Sequence, residues 1–143
     1  ASRTRTMIDM LIISHGGFGS ALIQSASHVL GNHPPDLLEL GVTVRDDPET
    51  VFRKAQSLVR SLDSGGGVIV FTDMVGATPS NIASRLSAPG RVEVIAGVGL
   101  PMLVRALTYR NETLAIDVRK AISAGTEGVV QIHPEIARAA NGS

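Results

Sequence analysis

The chain has 143 residues, and its 13 Lys and Arg balance its 13 Asp and Glu, so the formal net charge at pH 7 is zero. This length fits one domain with a single core, and the lack of a basic surplus argues against a nucleic-acid partner. The sequence contains no cysteine, which excludes disulfides, zinc–thiolate sites and thiol nucleophiles.

Neither a membrane helix nor a signal peptide is predicted. No apolar run approaches the ~20 residues that a membrane-spanning helix needs. Residues 1–6 are polar and lack the apolar stretch of a signal peptide, so we expect a flexible tail or a remnant of expression there. The predicted location is therefore the cytoplasm.

The first half of the chain predicts two strands, each followed by a helix. Residues 7–14 are apolar almost throughout, which is typical of a strand buried on both faces of a sheet. Apolar residues at helical spacing follow and end at Gly31, and residues 37–43 form a second strand candidate. A second helix begins at Asp47, because an acidic N-cap precedes Pro48 at the first helical position.

The second half repeats this alternation. Strands are predicted at 68–72 and 92–96, and helices begin at Thr78 and after the loop 97–101. A last helix at 114–124 precedes a short strand at 128–132, with a tail at 133–143. Because no helix follows that strand, we expect it to pair at an edge or to join a neighbouring subunit.

Strands that alternate with helices through short loops predict an α/β fold: a doubly wound, mostly parallel sheet with helices on both faces. In such sheets functional groups gather beyond the carboxyl ends of the strands. Three segments qualify here, namely 15–17, 73–81 and 97–101.

His15 is the candidate reactive group of the first segment. It ends a buried strand, and the glycines that follow expose the backbone and let a bulky group approach. Imidazole can act as a base, a metal ligand or a nucleophile at neutral pH. The alternative is that His15 only ends the strand by binding a backbone carbonyl.

Asp73 and Thr78 supply the remaining parts of a candidate site. If the first and third strands are neighbours, the Asp73 carboxylate can accept the Nδ1 proton of His15 and leave Nε2 as the nucleophile. The helix that begins at Thr78 offers unpaired N–H groups to an anion, with hydroxyls of Thr78 or Ser80 as further donors. Turn and helix capping alone would also explain these residues.

Other catalytic signals are missing. No G-x-S-x-G motif supplies an esterase nucleophile, and neither G-x-G-x-x-G nor G-x-x-x-x-G-K-[ST] is present. No second histidine or carboxylate cluster has metal-ligand spacing, so a metal-dependent hydrolase is disfavoured. No metal or cofactor is predicted.

Three blocks of sequence, at 12–16, 71–81 and 94–103, resemble the IIA domain of the mannose-type sugar phosphotransferase system. The resemblance covers residues 7–132 in order and at similar spacing. Departures are Ala77, where the family often has a second glycine, and Gly99, where it often has asparagine. Both departures are expected to alter partner or sugar preference.

The resemblance implies a phosphoryl relay. His15 would receive a phosphoryl group from the histidine phosphocarrier protein and pass it to a IIB partner, with Asp73 orienting the histidine and Thr78 beside the phosphate. It also implies a homodimer in which the last strand crosses to the other subunit, peripheral at most to a membrane transporter. The residues expected to bind the phosphate or the partner are Gly16, Gly17, Gly76, Ser80, Asn81, Gly97, Pro101 and Met102.

Two alternatives stay open within this interpretation. No IIB unit follows the domain in the sequence, so a freestanding IIA domain could act in a regulatory relay, binding a partner according to its phosphorylation state. The phosphocarrier subunit of dihydroxyacetone kinase shares the expected fold and histidine, although the block at 94–103 favours the mannose type.

Overall fold

The computed structural model describes residues 6–140. Residues 1–5 and 141–143, which belong to the predicted tails, lie outside the described residues. The described chain forms four strands and six helices. In chain order these are β1 (Asp9–His15), α1 (Phe18–Leu30), β2 (Leu37–Val42), α2 (Pro48–Leu62), β3 (Val68–Thr72), α3 (Thr78–Ser84), β4 (Val92–Ala96), α4 (Leu100–Thr108), α5 (Leu114–Glu127) and α6 (Pro134–Ala140).

The four strands form one parallel sheet in the order β2-β1-β3-β4. The first strand therefore lies in the centre, beside both β2 and β3. Because the carboxyl ends of parallel strands meet at one edge, the segments that follow β1, β2, β3 and β4 lie together there. The first and third strands are neighbours, which was the condition for a contact between Asp73 and His15.

Helices cover both faces of the sheet, as predicted. On one face Met10, Ile12 and Phe71 pack against α1, α4 and α5, and on the other Leu11 and Val70 pack against α2 and α3. All five side chains are fully buried. The uninterrupted apolar sequence of β1 thus reflects burial on both faces.

The second helix begins as its sequence predicts. The Asp47 side chain accepts a hydrogen bond from the Thr50 backbone N–H, and Pro48 occupies the first turn. Its strongly amphipathic sequence places Val51, Ala55 and other apolar residues against the sheet.

The carboxyl-terminal part differs from the prediction. Helix α5 continues to Glu127, and residues 128–132 pair with no strand of the described chain. Val129 and Ile132 are exposed on this segment, which does not pair with the open edge of β4 in the described chain. The predicted pairing within this chain's own sheet was wrong, and part of the predicted tail forms α6.

None of the helices within residues 6–140 is both long enough and apolar enough to cross a membrane.

Candidate functional site

The structure brings His15 and Asp73 together at the carboxyl edge of the sheet. His15 is the last residue of β1, and Asp73 directly follows β3, its parallel neighbour. The Asp73 Oδ2 atom lies 2.7 Å from His15 Nδ1, and the His15 backbone N–H donates to the same oxygen at 2.8 Å. The sequence predicted the ring contact but not the backbone one.

The hydrogen bonds around Asp73 stabilise its ionised form. Partial burial disfavours the charge, yet hydrogen bonds from the His15 backbone, the His15 ring and the Met74 backbone outweigh it, so the pKa of Asp73 lies below its usual value. An ionised carboxylate can only accept, so Nδ1 of His15 carries the proton that is shared with it. The Nε2 atom then carries the free lone pair.

The His15 side chain is accessible to a reaction partner. It is 53% exposed, whereas that of Asp73 is only 15% exposed. A carboxylate that is shielded from water while the imidazole is open orients the ring without competing for the reacting group. The pair can therefore present a nucleophile to a partner that docks on this edge.

A pocket of about 260 Å³ lies next to the imidazole. Its lining combines the end of β1, the connection from β2 to α2 and the first turn of α3, through His15, Gly16, Val42, Thr43, Val44, Thr78 and Pro79. The polar groups at its α3 side are those of a helix start, which attracts an anion.

Thr78 is the first residue of α3 and lines this pocket, and the binding of a phosphate by its hydroxyl stays a prediction. The N-cap residue Ala77 makes no side-chain hydrogen bond to the first turn. The N–H groups of that turn are thus left without the usual side-chain acceptor. The N-cap position is taken by Ala77 and not by Thr78, so capping of the helix by the Thr78 hydroxyl does not explain this residue.

Other predicted binding residues have different environments. The Ser80 hydroxyl donates to the Ala77 carbonyl at 2.8 Å and is mostly buried, so it serves the first turn of α3 rather than an anion. Asn81 lies exposed on the next position of the same helix. Gly76, in the loop before α3, adopts a φ of 87°, a conformation that favours glycine.

The segment between β4 and α4 lies outside the lining of the His15 pocket. Gly97 donates its N–H to the Thr72 carbonyl at 3.0 Å, which ties this loop to the end of β3. Pro101 is exposed on the first turn of α4, whereas Met102 is buried in the core against α5. The inward face of α4 carries Met102 into the core, and its expected contact with a partner stays a prediction.

One wall of the pocket, formed by Val42, Thr43 and Val44, was not predicted from the sequence. Asp46 accepts hydrogen bonds from both the backbone N–H and the hydroxyl of Thr43, at 2.8 and 3.1 Å. This turn holds Val44 fully exposed beside the pocket. The signal was available in principle, since a second strand parallel to the first ends at the same edge.

Comparison with known proteins identifies the family. Residues 9–123 match the EIIA-man family, described as the PTS system fructose IIA component. The chain is 33% identical over 125 residues, or 85% of its length, to the mannose-specific EIIAB component of the PTS from Escherichia coli K12. It is 27% identical to the fructose-specific EIIA component of the PTS from Bacillus subtilis, over 94% of each chain.

Solved structures share the fold. The phosphotransferase system component EIIA from Streptococcus agalactiae has a TM-score of 0.78 at 27% identity, and the match covers 87% of this chain and 97% of that one. The chain spans only 38% of the length of the Escherichia coli relative. The family match itself covers most of this chain, including His15 and Asp73. The chain therefore belongs to the EIIA-man family, the mannose- and fructose-type IIA components of the sugar phosphotransferase system.

Proposed function

We propose that Nε2 of His15 accepts a phosphoryl group from the histidine phosphocarrier protein and passes it to a IIB component. The observation that carries this proposal is the 2.7 Å contact between His15 Nδ1 and Asp73 Oδ2 in a member of this family. It fixes the proton on Nδ1 and directs the lone pair of Nε2 outward. The relay operates in the cytoplasm.

The charges at the site favour this step. The Nε2 lone pair forms a bond to phosphorus while the bond between phosphorus and the donor's histidine nitrogen breaks, and that nitrogen keeps the electron pair. Since Nδ1 of His15 keeps its proton, the phosphorylated ring carries a positive charge. The adjacent Asp73 carboxylate, held ionised by its hydrogen bonds, stabilises that charge.

The first turn of α3 offers binding groups for the transferred phosphoryl. Thr78 and Pro79 line the pocket beside His15, and the positive end of a helix favours an anion there. The phosphoryl oxygens would accept hydrogen bonds from the Thr78 hydroxyl and from N–H groups of that turn. These donors are weak enough, at an open surface, to release the group to the next protein.

Transfer assays test this proposal. The purified chain is incubated with phosphoenolpyruvate, enzyme I and the phosphocarrier protein, and an acid-labile label is expected on the wild type but not on His15→Ala. His28→Ala, which changes an exposed histidine in the last turn of α1, serves as the matched control. Labelling of His15→Ala at the wild-type level would refute the assignment.

The acceptor is tested separately by adding purified IIB components one at a time to the labelled chain. A IIB component that removes the label from His15 confirms the second half of the relay. Retention of the label with every IIB component, together with phosphorylation-dependent binding of another protein, would refute a transport relay and favour a regulatory one.

The homodimer is also part of the proposal. The outer edge of β4 has no neighbouring strand within residues 6–140, and a groove of about 400 Å³ runs along it, lined partly by Ile95 and Ile122. Val129, Val130 and Ile132 are exposed on a segment that pairs with no strand in the described part of the chain. Pairing of this segment with β4 of a second copy would satisfy both, as free strand edges tend to do.

Light scattering after gel filtration tests this arrangement. The wild type is expected to be a dimer and Val130→Asp a monomer, because a charge would enter the groove. Val44→Asp is the control and should stay dimeric, because this exposed valine lies beside the His15 pocket and not in the groove along β4. A monomeric wild type would contradict the exchange.

A further inference from the structure

Gly41 lies beneath the turn that carries the reactive histidine. In the register of β1 with β2, Gly41 is opposite Ser14, and Val42 is opposite His15. The chain then turns at Gly16, whose φ of 49° leads it into α1. This turn brings the Gly16 carbonyl group over the α-carbon of Gly41.

The approach leaves no room for a side chain. A Cβ atom on Gly41 would overlap the carbonyl oxygen of Gly16 and lie 3.2 Å from its carbonyl carbon. Both atoms belong to the backbone, so no rotamer change can relieve the overlap. The Gly16 N–H also donates to the Val42 carbonyl at 2.9 Å, which fixes the turn against β2.

The other side of the same turn is fixed by β3. Asp73 Oδ2 binds both the backbone N–H and Nδ1 of His15, at 2.8 and 2.7 Å. The turn is therefore held from two sides. The N–H and the carbonyl group of Gly16 lie against β2, and the backbone N–H and Nδ1 of His15 bind Asp73 at the end of β3. Any displacement away from β2 shifts the donor atoms of His15 relative to one oxygen atom.

We infer that Gly41 is a positioning residue for His15: its missing side chain lets the Gly16 carbonyl lie against β2, so that the preceding His15 stays where both of its donors reach Asp73. This role rests on the proposed function of His15 and names a residue that acts through it. Gly41 is not among the residues that line the pocket beside His15, and its own φ is not in the left-handed region.

A matched control is available at the opposite end of the sheet. A Cβ atom on Gly66 would lie 2.6 Å from the carbonyl oxygen of Met7 and 2.9 Å from its carbonyl carbon. Gly66 precedes β3 and Met7 precedes β1, so this overlap disturbs the amino ends of the strands and not the carboxyl edge. Gly66→Ala thus imposes a similar steric conflict far from His15.

The test compares Gly41→Ala with Gly66→Ala by two measurements. The ¹⁵N chemical shifts of the His15 ring report the tautomer and the hydrogen bond to Asp73 without any phosphoryl donor. The second measurement is the rate of phosphorylation by the phosphocarrier protein. Gly41→Ala is expected to redistribute the tautomers and to slow phosphorylation by about 10–100-fold, the scale on which small misplacements act. Gly66→Ala should change neither.

The two measurements separate the possible outcomes. Wild-type ring shifts in a folded Gly41→Ala would overturn the positioning role. Altered ring shifts in Gly41→Ala, together with a wild type that accepts no phosphoryl group, would refute only the proposed function. If Gly41→Ala does not fold, both variants are compared in trimethylamine N-oxide, an osmolyte that favours compact states. A Gly41→Ala chain that stays unfolded there, beside a folded Gly66→Ala, would contradict the proposal, because the close approach would then serve the fold.

Discussion

Asp73 Oδ2 accepts two hydrogen bonds from His15, one from the backbone N–H at 2.8 Å and one from Nδ1 at 2.7 Å. One oxygen thus fixes both the end of β1 and the orientation of its imidazole. The backbone contact fixes the Asp73 carboxylate relative to β1, so that the imidazole meets an acceptor that is already in place. This arrangement explains how a half-exposed histidine can be held in one tautomer.

Removal of the Asp73 charge should slow phosphoryl transfer. In Asp73→Asn the amide can no longer stabilise the positive charge of the phosphorylated ring, and its NH₂ group competes for the position facing Nδ1. We expect the rate of phosphorylation of His15 to fall by about 100-fold or more, by analogy with other histidines that lose an orienting carboxylate. The measurement is a rapid-quench time course with labelled phosphocarrier protein.

Asp63→Asn is the matched control for that experiment. The side chain of Asp63 is also 15% exposed, and it pairs with Arg91 instead of a histidine. Its replacement should leave the transfer rate unchanged. Equal rates for wild type and Asp73→Asn would show that the contact with His15 is not needed for the reaction.

The two hydroxyls of the first turn of α3 should differ in their effects. Thr78→Ala removes a donor at the pocket and is expected to slow transfer roughly 10-fold, which corresponds to one hydrogen bond to a charged group. Ser80→Ala removes a bond to the Ala77 carbonyl and should lower thermal stability with little effect on the rate. Thr78→Ser should restore most of the rate, and a larger kinetic loss in Ser80→Ala than in Thr78→Ala would contradict these roles.

Asp117 should make the stability of the fold depend on pH. Its carboxylate is fully buried in α5, and neither oxygen has a hydrogen-bond partner in the described structure. Burial raises the pKa of Asp117 to about 7, against the attraction of the neighbouring Arg110. The folded state therefore binds this proton more tightly than the unfolded chain, in which the pKa of an Asp carboxyl is about 3.9.

The sign follows from this difference. The contribution of Asp117 to the free energy of unfolding is fully present below about pH 4 and is lost as the pH rises to about 7. Urea denaturation between pH 4 and 8 should show this decline in the wild type but not in Asp117→Asn, which should be the more stable protein at pH 8. Glu112→Gln changes an exposed carboxylate and should keep the wild-type dependence of the free energy of unfolding on pH. A decline in Asp117→Asn as large as that of the wild type would show that other groups cause it.

Much of the fold followed from local sequence. The four strands and the helix starts at Pro48 and Thr78 depend on apolar periodicity and capping, which act within a few residues, and the structure agrees there. The segment 128–132 shows the limit, because its β-prone residues predict a strand, whereas pairing depends on contacts with strands that are distant in the sequence.

The site was only partly predictable for a similar reason. A parallel sheet placed His15 and Asp73 at the same edge, but their contact depended on a strand order that the sequence left open. The contact of Gly16 with Gly41 and the wall around Val44 depend on how neighbouring turns pack. The burial of Met102 depends on which face of α4 turns into the core, which the loop-like sequence before it does not reveal.

The nitrogen that carries the phosphoryl group tests the central claim most directly. The chain is labelled with ¹⁵N in its histidine rings, phosphorylated through enzyme I and the phosphocarrier protein, and measured by ¹H–¹⁵N correlation with phosphorus coupling. We predict coupling of phosphorus to Nε2 of His15, with Nδ1 still protonated and bonded to Asp73. Coupling to Nδ1 of His15, or phosphorylation of another residue, would contradict the account.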